Sequence, residues 1–89
     1  MLRHDLEQTC KTAPVLAAEE ARGVANRVLA NDGVELPSYR LISVAFVCVE
    51  KIPYWRVTYV DRMRKYCADC YIGVYVSDKD VGNYIFRGG

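Results

Sequence analysis

The fold is decided by the stretch YWRVTYV at residues 54–60. The side chains of a β-strand alternate between two faces, with a period of two residues. One face of this stretch carries Trp55, Val57 and Tyr59, and the other carries Tyr54, Arg56, Thr58 and Val60. The surrounding residues 39–86 hold the only Trp, both Phe and all seven Tyr of the chain. This concentration predicts a sheet in which both faces make contacts.

Three further segments show strand patterns. Residues 39–51 are apolar in both alternating sets, and we expect a short strand at residues 84–86. In residues 70–76 aliphatic side chains alternate with Tyr and Gly, which is the pattern of a strand with one buried face. The aliphatic set that should face a helix is Ile72, Val74 and Val76. We therefore expect a curled antiparallel sheet over residues 39–87.

Residues 15–31 carry the pattern of an amphipathic helix. Apolar side chains recur at the i, i+3, i+4 and i+7 spacing, while polar and charged residues fall elsewhere. Pro14 suits the first turn of such a helix, and Gly33 suits its end because glycine accepts the left-handed conformation. Apolar residues also recur every four positions in residues 2–10, which predicts a short helix or a helical arm.

A chain of 89 residues allows one domain with one modest core. We expect a single domain over residues 1–89, with an arm or short helix at residues 1–13, the main helix at residues 14–32 and the sheet at residues 39–87. The expected fold class is α+β, with an N-terminal helix packed on a four-stranded curled antiparallel sheet.

Three motifs resemble a known group of small proteins. The helix reads AEEAxxxAxxxL at residues 18–29, the central strand reads YWxVxY at residues 54–59, and YVxDK at residues 75–79 precedes a turn at Gly82. Over residues 15–87 this order is similar to PepSY-like and cystatin-like α+β modules, and to compact immunity proteins with an NTF2-like fold. The resemblance implies a cystatin-like sheet and non-enzymatic work: inhibition of a toxin or a peptidase, or packing against a partner domain.

The face opposite the predicted helix is the candidate functional surface. Tyr and Arg are enriched in the hot spots of protein interfaces. We expect a non-catalytic inhibitor or immunity protein that binds its partner through this face and a nearby basic loop. The expected partner-binding residues are Tyr54, Arg56, Thr58, Arg62, Arg64, Tyr71 and Tyr75. Two alternatives stay open: two such faces pair in an obligate homodimer, or the N-terminal segment folds back and covers the face.

Four cysteines, Cys10, Cys48, Cys67 and Cys70, allow three pairings in an oxidising compartment. Since the N-terminal residues are charged where a signal peptide needs an apolar run, we expect a cytoplasmic protein with reduced cysteines. Cys67 and Cys70 form a C-x-x-C pair that could chelate zinc, with Cys10 and His4 as the remaining candidate ligands. A small zinc or thiol protein is therefore an alternative function, while the leading expectation includes no cofactor.

Charge and chemistry argue against other classes. Twelve basic and eleven acidic residues leave a net charge of +1, so the chain has no long-range field that would attract nucleic acid or an anionic membrane. The sequence shows no paired-carboxylate motif, no phosphate-binding loop and no nucleophile beside a base. We therefore expect a protein partner, rather than nucleic acid or a membrane, and no enzymatic activity.

Overall fold

The computed structural model describes residues 6–63, 70–79 and 81–88. These residues form one helix, α1 (Ala18–Asn31), a short 3-10 helix (Leu36–Ser38) and five strands. The strands are β1 (Glu7–Gln8), β2 (Tyr39–Val49), β3 (Ile52–Asp61), β4 (Tyr71–Ser77) and β5 (Tyr84–Gly88). They pair in chain order, each antiparallel to the next, and α1 packs on one face of the resulting half-barrel.

The predicted α+β class is confirmed, and two of its details are wrong. The sheet has five strands instead of four, and α1 is not N-terminal because β1 precedes it. Residues 7–13 contain no helix, and β1 pairs with Val49 and Cys48 at the edge of β2. A sheet edge offers unpaired backbone groups, and these compete with a weak helical pattern for the segment. Residues 1–5 of the predicted arm lie outside the described residues.

Helix α1 begins at Ala18 rather than at residue 14. The carboxylate of Asp78 accepts the backbone N–H groups of Val15 at 2.7 Å and Leu16 at 2.8 Å. These contacts with the loop after β4 hold residues 15–16 outside the helix. The end of α1 agrees with the prediction, since Gly33 follows it with a φ of 84°.

The main core lies between α1 and the inner face of the sheet. Ala21, Ala25 and Leu29 of α1 are fully buried there. The buried side chains that meet them from β3 and β4 are Trp55, Val57, Tyr59, Ile72, Val74 and Val76. The predicted inward direction of the aliphatic set is thereby confirmed. The two alanines let the helix approach the sheet closely, and each aliphatic side chain contributes about 1.5–3 kcal/mol by burial.

A β-bulge decides which apolar set of β2 faces the helix. The register of β2 against β3 shifts between Leu41 and Ser43. Leu41 packs on the main core before the bulge, and Val44 does so after it. A bulge inserts one residue without a partner, and this residue, Ile42, is 43% exposed. Because both alternating sets of β2 are apolar, the sequence pattern could not show which side chains face the helix.

The turn between β2 and β3 lies at Glu50 and Lys51, whose φ angles are 51° and 69°. Two central residues with positive φ match the right-handed twist of a hairpin. Pro53 lies within β3, opposite Cys48. Its carbonyl accepts the backbone N–H of Asp78 at 3.1 Å, so this end of the sheet is joined to the loop after β4.

Candidate binding site on the outer sheet face

The face of the sheet opposite α1, which we call the outer face, carries five of the predicted partner-binding residues. Arg56 lies directly opposite Tyr75 in the pairing of β3 with β4. Tyr54 and Thr58 lie two residues from Arg56 and therefore point to the same side. Tyr71 lies four residues from Tyr75 and shares its side for the same reason. The predicted division of β3 and β4 between two faces is confirmed.

A second, smaller core fills half of the outer face. It consists of Val49, Tyr54 and Tyr75, with Val47 and Phe86 packed against them. The rings of Tyr54 and Tyr75 meet edge to face with their centroids 6.0 Å apart, which is a favourable aromatic arrangement. Tyr54 is 2% exposed and Tyr75 is 0% exposed. The expectation that these two tyrosines are exposed is therefore wrong, because the curl of the sheet brings side chains of several strands over them.

Strand β1 reaches this second core from the edge of the sheet. The Glu7 carboxylate accepts hydrogen bonds from Arg56 Nη1 and from the Tyr75 hydroxyl. The side chains of Glu7 and Arg56 are 13% and 27% exposed, so their ion pair is largely shielded from water. A disulfide between Cys10 and Cys48 ties the segment after β1 to β2. In the described residues β1 lies at the edge of the sheet, and only the Glu7 side chain reaches the outer face, so the alternative of a covering N-terminal segment stays open.

Burial raises the pKa of the Tyr75 hydroxyl, and its hydrogen bond to Glu7 acts in the same direction. Both effects favour the protonated phenol, since an ionised oxygen would lose its hydration and face the negative carboxylate. Burial is also the main cause that raises the pKa of Tyr54. Both tyrosines therefore stay neutral at physiological pH, and neither offers a base there.

The other half of the outer face is open and forms a cavity of about 410 Å³, which we call the outer cavity. Its lining residues are Ile42, Ser43, Arg56, Thr58, Tyr71, Phe86, Arg87 and Gly88. Three predicted partner-binding residues, Arg56, Thr58 and Tyr71, are thereby brought together. Among the described residues this lining includes two arginines, three hydroxyl groups and the apolar side chains of Ile42 and Phe86, but no acidic residue. The volume lies within the range of small-ligand pockets, roughly 300–1,000 Å³.

Phe86 lies between the second core and the outer cavity, and Gly73 makes room for it. A Cβ atom at Gly73 would lie 2.2 Å from Phe86 Cζ and 2.4 Å from the carbonyl oxygen of Val57. The Phe86 ring therefore covers the backbone of the glycine opposite it, an arrangement known to stabilise glycines in sheets. The same ring packs on Tyr75 with 5.2 Å between centroids. Gly73, which lies between Tyr71 and Tyr75 in the sequence, is the signal that could have indicated an aromatic ring packed on this strand.

The basic loop contributes little to the outer cavity as described. Arg62 is exposed, and its Nε donates to the carbonyl of Tyr39 at 3.1 Å. Arg64 lies outside the described residues. Arg87, which lines the cavity, forms an exposed ion pair of 3.6 Å with Asp32 at the end of α1. Sequence reasoning missed Glu7, Ile42, Ser43 and Phe86 on the outer face, and Arg87 in the edge strand β5.

The cysteines contradict two expectations. Cys10 and Cys48 form a disulfide with their Cα atoms 5.1 Å apart, and Cys70 is also disulfide-bonded, so these three are not reduced thiols. Pairing of β1 with β2 brings Cys10 beside Cys48, which sequence spacing did not reveal. Neither Cys10 nor Cys70 is therefore a thiolate available for zinc, while His4 and Cys67 lie outside the described residues. No cluster of three or more potential metal-ligating side chains occurs among the residues that the structure describes.

Comparisons with known proteins add no identity to this geometry. No family model matches the chain, and neither a curated protein nor a solved structure matches it. The resemblance to PepSY-like, cystatin-like and NTF2-like immunity proteins therefore stays a prediction. Within the described ranges, no helix is long and apolar enough to cross a membrane.

Proposed function

We propose that the protein is a non-catalytic binding module that receives part of a protein partner in the outer cavity, as an inhibitor or an immunity protein does. The observation that carries the proposal is the outer cavity itself. It unites Arg56, Thr58 and Tyr71 from two strands with side chains from β2 and β5. Tyr71 is 36% exposed and Ile42 is 43% exposed, so apolar surface remains for a partner to cover.

The chemistry of the cavity supports binding rather than catalysis. Its lining offers guanidinium and hydroxyl groups, which donate hydrogen bonds and attract negative charge. General base catalysis needs a carboxylate, imidazole or similar group within reach of the reacting proton. Among the described residues, the lining holds no carboxylate, imidazole or thiol, and the nearby Glu7 carboxylate is already bonded to Arg56 and Tyr75. We therefore assign Arg56, Thr58, Tyr71, Ile42, Phe86 and Arg87 to the binding surface, and Tyr54 and Tyr75 to its support.

Binding is tested with the products of adjacent reading frames, each co-expressed with the chain and examined for a complex. For any complex found, Tyr71→Ala should weaken affinity at least ten-fold in titration calorimetry, about 1.4 kcal/mol, because it removes an exposed ring from the cavity wall. Val81→Ala is the control, since Val81 is an apolar side chain that is 56% exposed and does not line the cavity. Equal losses in the two variants would contradict the location of the site.

The outer cavity could also be occupied by a second copy of this chain, and the experiment must distinguish such a homodimer from a complex with a different protein. Sedimentation equilibrium at low micromolar concentration would show a dimer, and Tyr71→Ala should then dissociate it. A monomer that forms a complex with a different protein supports the inhibitor or immunity role.

The disulfides bear on the compartment in which the partner is met. Disulfides persist in oxidising compartments and are rare in the cytoplasm. We infer that the protein works in an oxidising environment, in place of the cytoplasmic location that the N-terminal charges suggested. Rapid acid quenching of native cells, followed by alkylation and mass spectrometry, would test this. Alkylated Cys10 and Cys48 would contradict it.

A further inference from the structure

The outer face already binds one carboxylate, which belongs to Glu7. Arg56 donates to one carboxylate oxygen of Glu7 and the Tyr75 hydroxyl donates to the other. A guanidinium with several N–H groups and a phenol are strong donors for an anion, and bonds to an ionised acceptor are about twice as strong as neutral ones. The two donors thus form a fitting site for a carboxylate.

The donors and the carboxylate come from different parts of the sheet. Arg56 and Tyr75 are cross-strand neighbours on β3 and β4, so the main sheet fixes their positions. Glu7 comes from β1, a strand of two residues on the far side of β2. β1 pairs with only Val49 and Cys48 there, and the Cys10–Cys48 disulfide holds the segment that follows. The site would therefore persist if its present carboxylate were removed.

Arg56 connects this site with the outer cavity. It lines the cavity, and its side chain is 27% exposed. Arg87 also contributes to the lining, but its guanidinium forms an ion pair with Asp32 at the end of α1. An anion that enters the cavity therefore meets the exposed part of Arg56. Ile42 and Phe86 provide apolar contact for the rest of such a ligand.

We propose that Arg56 and Tyr75 form a carboxylate-binding site in which Glu7 is an internal ligand, and that a carboxylate on an apolar body competes with Glu7 for Arg56 from the outer cavity. If the proposed function is correct, the partner supplies this carboxylate as an acidic side chain next to an apolar one; this step rests on the proposed function. The site itself is tested without any partner.

The Cys10–Cys48 disulfide keeps Glu7 close to Arg56 and Tyr75, which favours Glu7 over external carboxylates. A short tether holds its ligand at an effective concentration on the order of millimolar or higher, without any additional contact. Glu7 therefore outcompetes weak external carboxylates in the intact protein. Removal of the Glu7 carboxylate should make the site available to them.

The experiment is chemical rescue of Glu7→Ala. The variant is titrated with sodium acetate, sodium 3-phenylpropionate and sodium chloride at equal ionic strength, and unfolding in urea is followed by Trp55 fluorescence. For a dissociation constant of about 10 mM, 100 mM ligand should raise the folding equilibrium constant about eleven-fold. 3-Phenylpropionate should act at a lower concentration than acetate because its ring reaches the apolar side of the cavity. Wild type and Glu19→Ala, which removes an exposed acid from α1, should show no such response.

Two further probes make the result specific. The uncharged 3-phenylpropionamide should not stabilise Glu7→Ala, and Glu7→Ala/Arg56→Met should not respond to either carboxylate. No carboxylate-specific stabilisation, or an equal response without Arg56, would overturn the proposal. If Glu7→Ala is unfolded on its own, the same titration should restore the folded signal, and no recovery counts against the site. Failure to find a protein partner leaves these titrations unaffected, so the two proposals can fail separately.

Discussion

Removal of the Cys10–Cys48 disulfide by Cys10→Ser/Cys48→Ser should lower the free energy of unfolding by about 4 kcal/mol. The two cysteines are 38 residues apart, so the bond closes a long loop in the unfolded chain. In the chain-entropy treatment, a loop of this length loses about 13 cal/mol/K, which is about 4 kcal/mol at 25 °C. A domain of 89 residues has a total stability on the order of 5–13 kcal/mol, so the variant should lose a large part of it.

The assay is urea denaturation followed by Trp55 fluorescence, since Trp55 is the only tryptophan and lies in the main core. The double variant removes only the Cys10–Cys48 bond, whereas a chemical reductant would also reduce the disulfide of Cys70. Each single variant, Cys10→Ser and Cys48→Ser, should lose about as much as the double variant, because either change opens the same bond.

Two results would refute this reasoning. A loss below about 1 kcal/mol in the double variant would show that the closed loop contributes little. Losses that add from the single variants to the double variant would show that the two side chains act by local packing rather than as a crosslink.

Three further predictions concern the sheet. In urea denaturation, Gly73→Ala should lower the free energy of unfolding by about 1–3 kcal/mol, because the new methyl group collides with Phe86. Gly88→Ala is the control: the space around Gly88 is open, so the change should be less than about 0.5 kcal/mol. Asp78→Ala should destabilise by about 2–3 kcal/mol in the same assay, because two backbone N–H groups lose a charged acceptor, and a neutral effect would contradict this role. The free energy of unfolding should fall as pH rises above 10, because the pKa of Tyr75 is higher in the folded protein than in the unfolded chain. In thermal melts, the melting temperature of Tyr75→Phe should depend less on pH than that of the wild type. The same pH dependence in both proteins would contradict this role of Tyr75.

The period of two along β3 and β4 was enough to divide their residues between two faces. Val57, Val74 and Val76 lie in the main core as their alternation with Tyr and Arg predicted. The helical period of α1 likewise placed Ala25 and Leu29 on its buried side. These inferences succeeded because each depends only on the local geometry of one element and on the removal of apolar side chains from water.

Predictions that needed distances between elements were less successful. Tyr54 and Tyr75 are on the predicted face, yet they are buried because Val47, Val49 and Phe86 pack against them. Ile42 enters the cavity lining through a bulge in a strand whose two apolar sets looked equivalent. The cysteines of the C-x-x-C motif drew attention to zinc, while the bond between Cys10 and Cys48 depended on a strand pairing over 38 residues.

By itself the sequence determined an α+β domain, the position of its main helix and the two faces of its central strands, because backbone geometry and hydrophobic burial act residue by residue. Only the tertiary structure decided that the outer face has a filled half and an open half. That division depends on curl, on register and on Glu7, which crosses β2 to reach Arg56 and Tyr75. Such contacts join residues far apart in the chain, and no local pattern records the distance between them.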